Sequence, residues 1–149
     1  MGCDIHIVVE QRYEDKWVGI TNSDAVPYDA FNPNPSARDY RFFGALAGVR
    51  TNGPKPKGMP EDASDLAWLL AEGWDVDGHS HSYMSLKDFI STWLAVHDEK
   101  LPIIVKEKLE RGTYSVEYDK LIRELSMHVC WGHESEKIDD TRVVFWFDN

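Results

Sequence analysis

Two short segments near opposite ends of the chain alternate apolar and polar residues with a period of two, the signature of strands with one face in a core. In residues 3–10, Cys3, Ile5, Ile7 and Val9 point one way, while Asp4, His6, Val8 and Glu10 point the other. In residues 141–148, Val143, Phe145 and Phe147 share one side, and Arg142, Val144, Trp146 and Asp148 share the opposite side. If the two strands are sheet neighbours, Ile5, Ile7, Val9, Val143, Phe145 and Phe147 form a core face, and Asp4, His6, Trp146 and Asp148 gather on the other. A merely solvated face would carry Lys, Glu and Thr. Carboxylates, an imidazole and an indole together are a chemically richer set, and the simpler alternative is a surface hydrogen-bonded pair of Asp4 and His6.

The segments between them set the fold class. Residues 16–20 read as a hairpin return across the polar turn Tyr13-Glu14-Asp15. Prolines break residues 21–36 into loop, and Ser36 with Asp39 forms a capping box for a helix reaching residue 50. A basic loop occupies 51–60. A short helix is expected over 63–72, capped by Asp62 or Asp65 and stopped by Gly73. Residues 73–84 read as a polar loop, and Ser85 with Asp88 opens a helix over 86–97. Pro102 starts a helix through Arg111, another spans 116–129, and 130–140 is loop. The expectation is one α+β domain over 1–149, with a small, mainly antiparallel sheet containing the N- and C-terminal strands and four to five helices. A chain of 149 residues buries roughly two thirds of its unfolded surface, and a 42% hydrophobic, 12% aromatic composition supplies the core.

Charge and targeting signals narrow the function classes. A net charge of −10 disfavours bulk DNA or RNA, whose binding depends on cations that neutralise phosphates, but it leaves a small anionic ligand open. Cys3 and Cys130 make no disulfide framework, and Cys3 falls on the apolar side of its strand as a buried thiol. No apolar run approaches the roughly 20 residues of a membrane span, and no basic, then apolar leader opens the sequence. His6 stands where a myristoylation signal needs Ser or Thr. A cytoplasmic protein without a membrane partner is expected.

The second candidate cluster is His79-Ser80-His81-Ser82. Two imidazoles in a Gly-flanked loop can reach one metal ion or one phosphate, with Asp75 and Asp77 to orient them. Joined to Asp4, His6 and Asp148, they resemble a hydrolytic divalent-metal site. Without metal, His6, His79 and His81, with Asp4 beside them, could divide acid and base work near neutral pH. Arg38, Arg50, Lys55 and Lys57 are the phosphate donors, Arg38 at a helix N-terminus. Ser80 and Ser82 add hydroxyls, and Tyr40, Tyr83 and Trp146 could stack on a base. The plainer readings are solvated charges and core aromatics. His97, His128 and His133 read as structural or surface residues.

Met1-Gly2-Cys3-Asp4-Ile5-His6, Arg38-Asp39-Tyr40-Arg41-Phe42-Phe43, Leu46-Ala47-Gly48-Val49-Arg50, Gly58-Met59-Pro60-Glu61-Asp62-Ala63-Ser64, Asp77-Gly78-His79-Ser80-His81-Ser82 and Arg142-Val143-Val144-Phe145-Trp146-Phe147-Asp148 together resemble a family of small uncharacterised bacteriophage and prophage proteins. Asp39 departs from an expected Asn and Tyr83 from an expected Trp; the first could alter a hydrogen bond in the site, and the second keeps an aromatic wall. The resemblance implies a viral accessory protein acting against host defence, and by analogy against defence that signals with cyclic nucleotides. The leading expectation is then a phosphodiesterase acting on a small nucleotide such as a cyclic dinucleotide. A non-catalytic sponge for the same ligand and an acidic protein inhibitor of a host factor are the alternatives, and a homo-oligomer that shares its pockets between subunits is compatible with each.

Overall fold

The computed structural model describes residues 2–22, 38–96 and 135–148. Four antiparallel strands, β1 (Ile5–Tyr13), β2 (Lys16–Asn22), β3 (His79–Ser85) and β4 (Thr141–Phe147), form one sheet in the order β2-β1-β4-β3. The expected pairing of the terminal strands is present: Ile5 faces Phe147, His6 faces Trp146 and Val9 faces Val143. The fold is α+β, with three α-helices among the described residues: α1 (Tyr40–Ala47), α2 (Asp65–Trp74) and α3 (Leu86–Val96). The helices expected over 102–111 and 116–129, and most of the proline-rich loop, lie outside the described residues.

Both faces of the sheet are covered. On one, Ile5, Ile7, Val9, Val143, Phe145 and Phe147 pack against Phe42, Phe43 and Leu46 of α1 and Phe89, Ile90 and Trp93 of α3. On the other, Val8, Val144 and Trp146 pack against Ala67 and Ala71 of α2. Every residue of β4 is buried, which explains why Val-Val-Phe-Trp-Phe reads as a near-continuous apolar run rather than a strict alternation. Full burial of a Phe- or Val-sized side chain contributes about 1.5–3 kcal/mol, so β4 anchors both layers. The face expected to carry an open chemical site is therefore largely beneath α2.

Three boundaries differ from the expectation for local reasons. α1 starts at Tyr40, and Asp39 is its N-cap, accepting from the Phe42 N–H at 3.1 Å. Gly48, in the left-handed region at φ 68°, ends it, so Arg50 lies beyond the helix. α2 is capped by Ser64, which accepts from Ala67 N–H, and it runs through Gly73 to Trp74. Residues 79–85, expected as loop, form an edge strand because their backbone pairs with β4 despite a polar composition. The Ser85 cap of α3 is as expected, accepting from Asp88 N–H at 3.1 Å.

β3 is not regular. His79 pairs with Phe147 and Ser82 with Phe145, so three steps on β3 match two on β4. The extra residue makes a β-bulge, with Ser80 at φ 55°.

Candidate functional site

At the open end of β1 and β4, backbone and side chains interlock. The Asp148 N–H donates to the Asp4 carbonyl, and the Asp4 N–H donates back to Asp148 Oδ1, both at 3.1 Å. Asp148 Oδ2 accepts from His6 Nε2 at 2.8 Å. Both side chains are mostly buried, at 18% exposure for His6 and 12% for Asp148. Burial works to raise the Asp148 pKa, but the hydrogen bonds from His6 and the backbone and the charges of His6 and Arg38 outweigh it and leave it lowered. With the carboxylate as acceptor, Nε2 holds the proton, and Nδ1 carries the lone pair of the neutral ring.

His6 is also clamped by aromatic rings. Trp74, the last residue of α2, lies 4.2 Å from it between ring centroids, and Trp146 lies 5.9 Å away in a stacked arrangement. His81 stacks on the far side of Trp146 at 6.0 Å. His6, Trp146 and His81 thus form a row across three strands on the α2 side. Burial, with a smaller contribution from His79, pushes the His81 pKa below the ordinary imidazole value. The Trp146 indole N–H is buried and finds no acceptor among the described residues.

The bulge separates the two histidines that the sequence places two apart. His79 stacks over Phe147, on the α1/α3 side, at 6.2 Å, and its Nδ1 shares a 3.0 Å hydrogen bond with Ser80 Oγ. His81 faces Trp146, on the α2 side. In a regular strand both would face the same way. His6, His79 and His81 therefore do not converge on one point. Among the described residues no three His, Cys, Asp or Glu side chains come together as metal ligands.

The expected phosphate clamp is also changed. Arg38 pairs with Asp4 through two contacts, Nε to Oδ1 at 2.9 Å and Nη2 to Oδ2 at 3.2 Å, a geometry that saturates both charges. The Phe42 amide at the start of α1 is served by Asp39, so that position holds a carboxylate of the chain itself. Arg50 lies 4.3 Å over the ring of Tyr40, whose hydroxyl accepts from Cys3 N–H. Cys3 is buried as expected, and burial, reinforced by Asp148, raises its thiol pKa.

Lys57 N–H donates to Ser82 Oγ and Gly58 N–H to the His81 carbonyl, which fixes the basic loop along the edge of β3. Lys57 Nζ sits 5.0 Å from the Tyr83 ring centroid. Ser80 is in the bulge, and Asp75 and Asp77 lie in a short 3-10 turn that precedes β3. None of the three expected stacking rings is an open platform: Trp146 is buried, while Tyr40 and Tyr83 are each covered by a cation.

Two groups of residues were not singled out in the sequence. Trp74 gave no signal, because the expected helix stopped one residue before it. Glu10 and Arg142 did carry one, as opposite charges in register on the same face of paired strands, opposite the apolar set. Arg142 Nε donates to the fully buried Glu10 at 2.6 Å, its Nη1 to Asp62 at 2.9 Å, and its guanidinium lies 4.1 Å over Trp17. Glu10 also accepts from Ser64 N–H, so the network fixes the start of α2 to the sheet. The charge of Arg142 also holds the Asp62 carboxyl below its usual range, chiefly through their hydrogen bond.

Comparison with protein families, with curated proteins and with solved structures gave no match. Among the described residues no helix is long and apolar enough to cross a membrane.

Proposed function

We propose that the protein binds and cleaves a small nucleotide phosphodiester, with His6 as the base and Asp148 as the residue that orients it. The observation that supports this is the 2.8 Å His6–Asp148 contact beneath Trp74. A carboxylate that holds Nε2–H fixes the tautomer and leaves Nδ1 to take a proton from an attacking hydroxyl or water. Lys57 on the β3 edge, Lys55 two residues before it and Arg50 beyond α1 supply positive charge for phosphate, and Arg38 joins them if an anion displaces Asp4. The partially exposed Trp74 indole is the ring on which a base would stack. The resemblance to phage proteins extends the reading to an accessory protein acting in the host cytosol on a cyclic dinucleotide signal.

A second reading is a sponge that holds the same ligand intact. It is favoured by the row His6–Trp146–His81: the imidazoles stand two strand spacings apart, roughly 10 Å, and burial lowers the His81 pKa, which disfavours its acid form. Among the described residues no second imidazole therefore stands beside His6 to protonate a leaving oxygen.

The test is to incubate the protein with a panel of cyclic dinucleotides, with and without chelator, and to follow product by chromatography and ligand binding by thermal shift. Cleavage by the wild type that is lost in His6→Ala and Asp148→Ala supports the enzyme. A thermal shift with full recovery of unchanged ligand after heating supports the sponge. Saturation at 100 times the dissociation constant adds about 2.7 kcal/mol of stability. Intact ligand and an unmoved melting temperature throughout refute both.

A further inference from the structure

The side of α2 turned away from the sheet is unlike an ordinary solvated helix face. Ala67 and Ala71 are buried and Leu66 and Leu70 half-buried, so the sheet side of the helix has its apolar residues. Trp68 and Leu69 remain outside, with Leu69 69% exposed. By helical spacing they share the outward side with Asp65 and Glu72. The chain then exposes part of Trp74 and, in the 3-10 turn, leaves Val76 88% exposed. Single exposed apolar residues are ordinary, but Trp68 and Leu69 side by side on the outward side of α2, followed by Val76 in the next turn, are three large ones within nine positions, and such a concentration marks an interaction surface.

The segment that carries these residues has charge of one sign. Residues 58–86 contain no Lys or Arg and six acids: Glu61, Asp62, Asp65, Glu72, Asp75 and Asp77. Asp62 is held by Arg142, and Asp65 lies 3.9 Å from Lys16 with both side chains almost fully in solvent. Glu61, Glu72, Asp75 and Asp77 form no ion pair among the described residues. A second copy of the chain would bring these carboxylates against their equals, and like charges set face to face disfavour such a contact. We propose that this face docks a cationic amphipathic segment of a partner protein, with apolar residues seated on Trp68, Leu69 and Val76 and Lys or Arg residues meeting Glu72, Asp75 and Asp77. Such a segment is recognised by apolar anchors at helical spacing, with charge setting its rate of encounter and its orientation. The surface is separate from the His6–Asp148 pair, although Trp74 lies at the margin of both.

The probe is a dye-labelled helical Lys/Leu peptide with one apolar face, followed by fluorescence anisotropy against the full chain. Two control peptides accompany it: a Glu/Leu peptide of equal length, and a Lys/Ser peptide with no apolar face. The expected result is saturable binding of the Lys/Leu peptide alone, weakened by salt. Binding should fall at least about tenfold in the double variant Leu69→Ser/Val76→Ser, as expected for central apolar anchors, and further in Glu72→Lys. All three positions are exposed, so the variants should keep the wild-type melting temperature. Equal binding by wild type and double variant, or equal binding of the Lys/Ser peptide, would reduce the attraction to diffuse charge and overturn the proposal. So would failure of the wild type to bind the Lys/Leu peptide. Self-association of the wild type that the double variant abolishes would assign the face to a second copy and overturn it as well.

Discussion

Replacing Arg142 by Met should be the most damaging single change to stability at the sheet. Glu10 is fully buried and has two donors, the Arg142 guanidinium and the Ser64 N–H. Met retains much of the side-chain volume and some contact with Trp17, so the main loss is the counter-charge of a carboxylate that cannot reach water. Breaking a buried pair from one side costs about 3–5 kcal/mol. The contact to Asp62 adds little, because that carboxylate is 63% exposed. Against a total stability of about 5–15 kcal/mol, and at about 2–4 °C per kcal/mol for a chain of this size, the melting temperature should fall by on the order of 10 °C. The double variant Glu10→Gln/Arg142→Met removes both charges and leaves an amide oxygen to accept from Ser64 N–H. It should recover to within about 2 kcal/mol of wild type, since exchanging a whole buried pair for neutral groups is nearly neutral. Urea unfolding followed by tryptophan fluorescence on the four proteins of the cycle measures this coupling. A loss below about 1 kcal/mol in Arg142→Met, the range of an exposed ion pair, would refute the reasoning, because it would mean that Glu10 is solvated.

Asp148→Ala leaves the Asp4 N–H and His6 without their shared acceptor and should cost about 1–3 kcal/mol in the same assay. The His81 pKa is depressed in the fold, so its contribution is complete above the unfolded value of about 6.5 and declines as pH falls below it; His81→Gln should flatten the loss of stability between neutral pH and about pH 5. Asp148, whose folded pKa is lowered, stabilises above the unfolded value of about 3.9 and loses that contribution as pH falls through the folded one; Asp148→Asn should remove this acid limb. Ser80 holds φ 55°, so Ser80→Gly should stay within about 1 kcal/mol of wild type, while Ser80→Val should cost about 1–3 kcal/mol.

The sheet was legible because β1 and β4 each present a regular apolar set, and pairing these sets buries both. The hairpin and the Ser85 cap were legible for the same reason, a local pattern that agrees with the tertiary structure. The second layer was not. Val8, Val144 and Trp146 fall on the side assigned to chemistry, and only the arrival of α2 makes them core. β3 was hidden because His-Ser-His-Ser-Tyr-Met-Ser has the composition of a loop and draws its strand character from β4. Of the candidate site, the His6–Asp148 contact followed from strand register, which the apolar faces of β1 and β4 set. The Arg38–Asp4 pair did not, since it joins residues 34 positions apart, and the local pattern that announces a helix does not say which part of the sheet its start will reach.

The extra residue in β3 also changes what mutation can reach. Along a regular strand, substitutions alter side chains but not the side on which they stand. At the bulge, the residue count sets the phase instead. The extra residue is what lets His79 and His81, two apart in sequence, stand on opposite faces, one on Phe147 and the other on Trp146. Loss of Ser80 would make the ladder regular and leave each histidine on the face it already occupies, because consecutive strand residues alternate. An edge strand, paired on one side by β4 and held on the other by bonds from the 57–58 loop, can absorb such a loss. A single-codon deletion there would therefore shorten the strand without changing the layer that either imidazole serves.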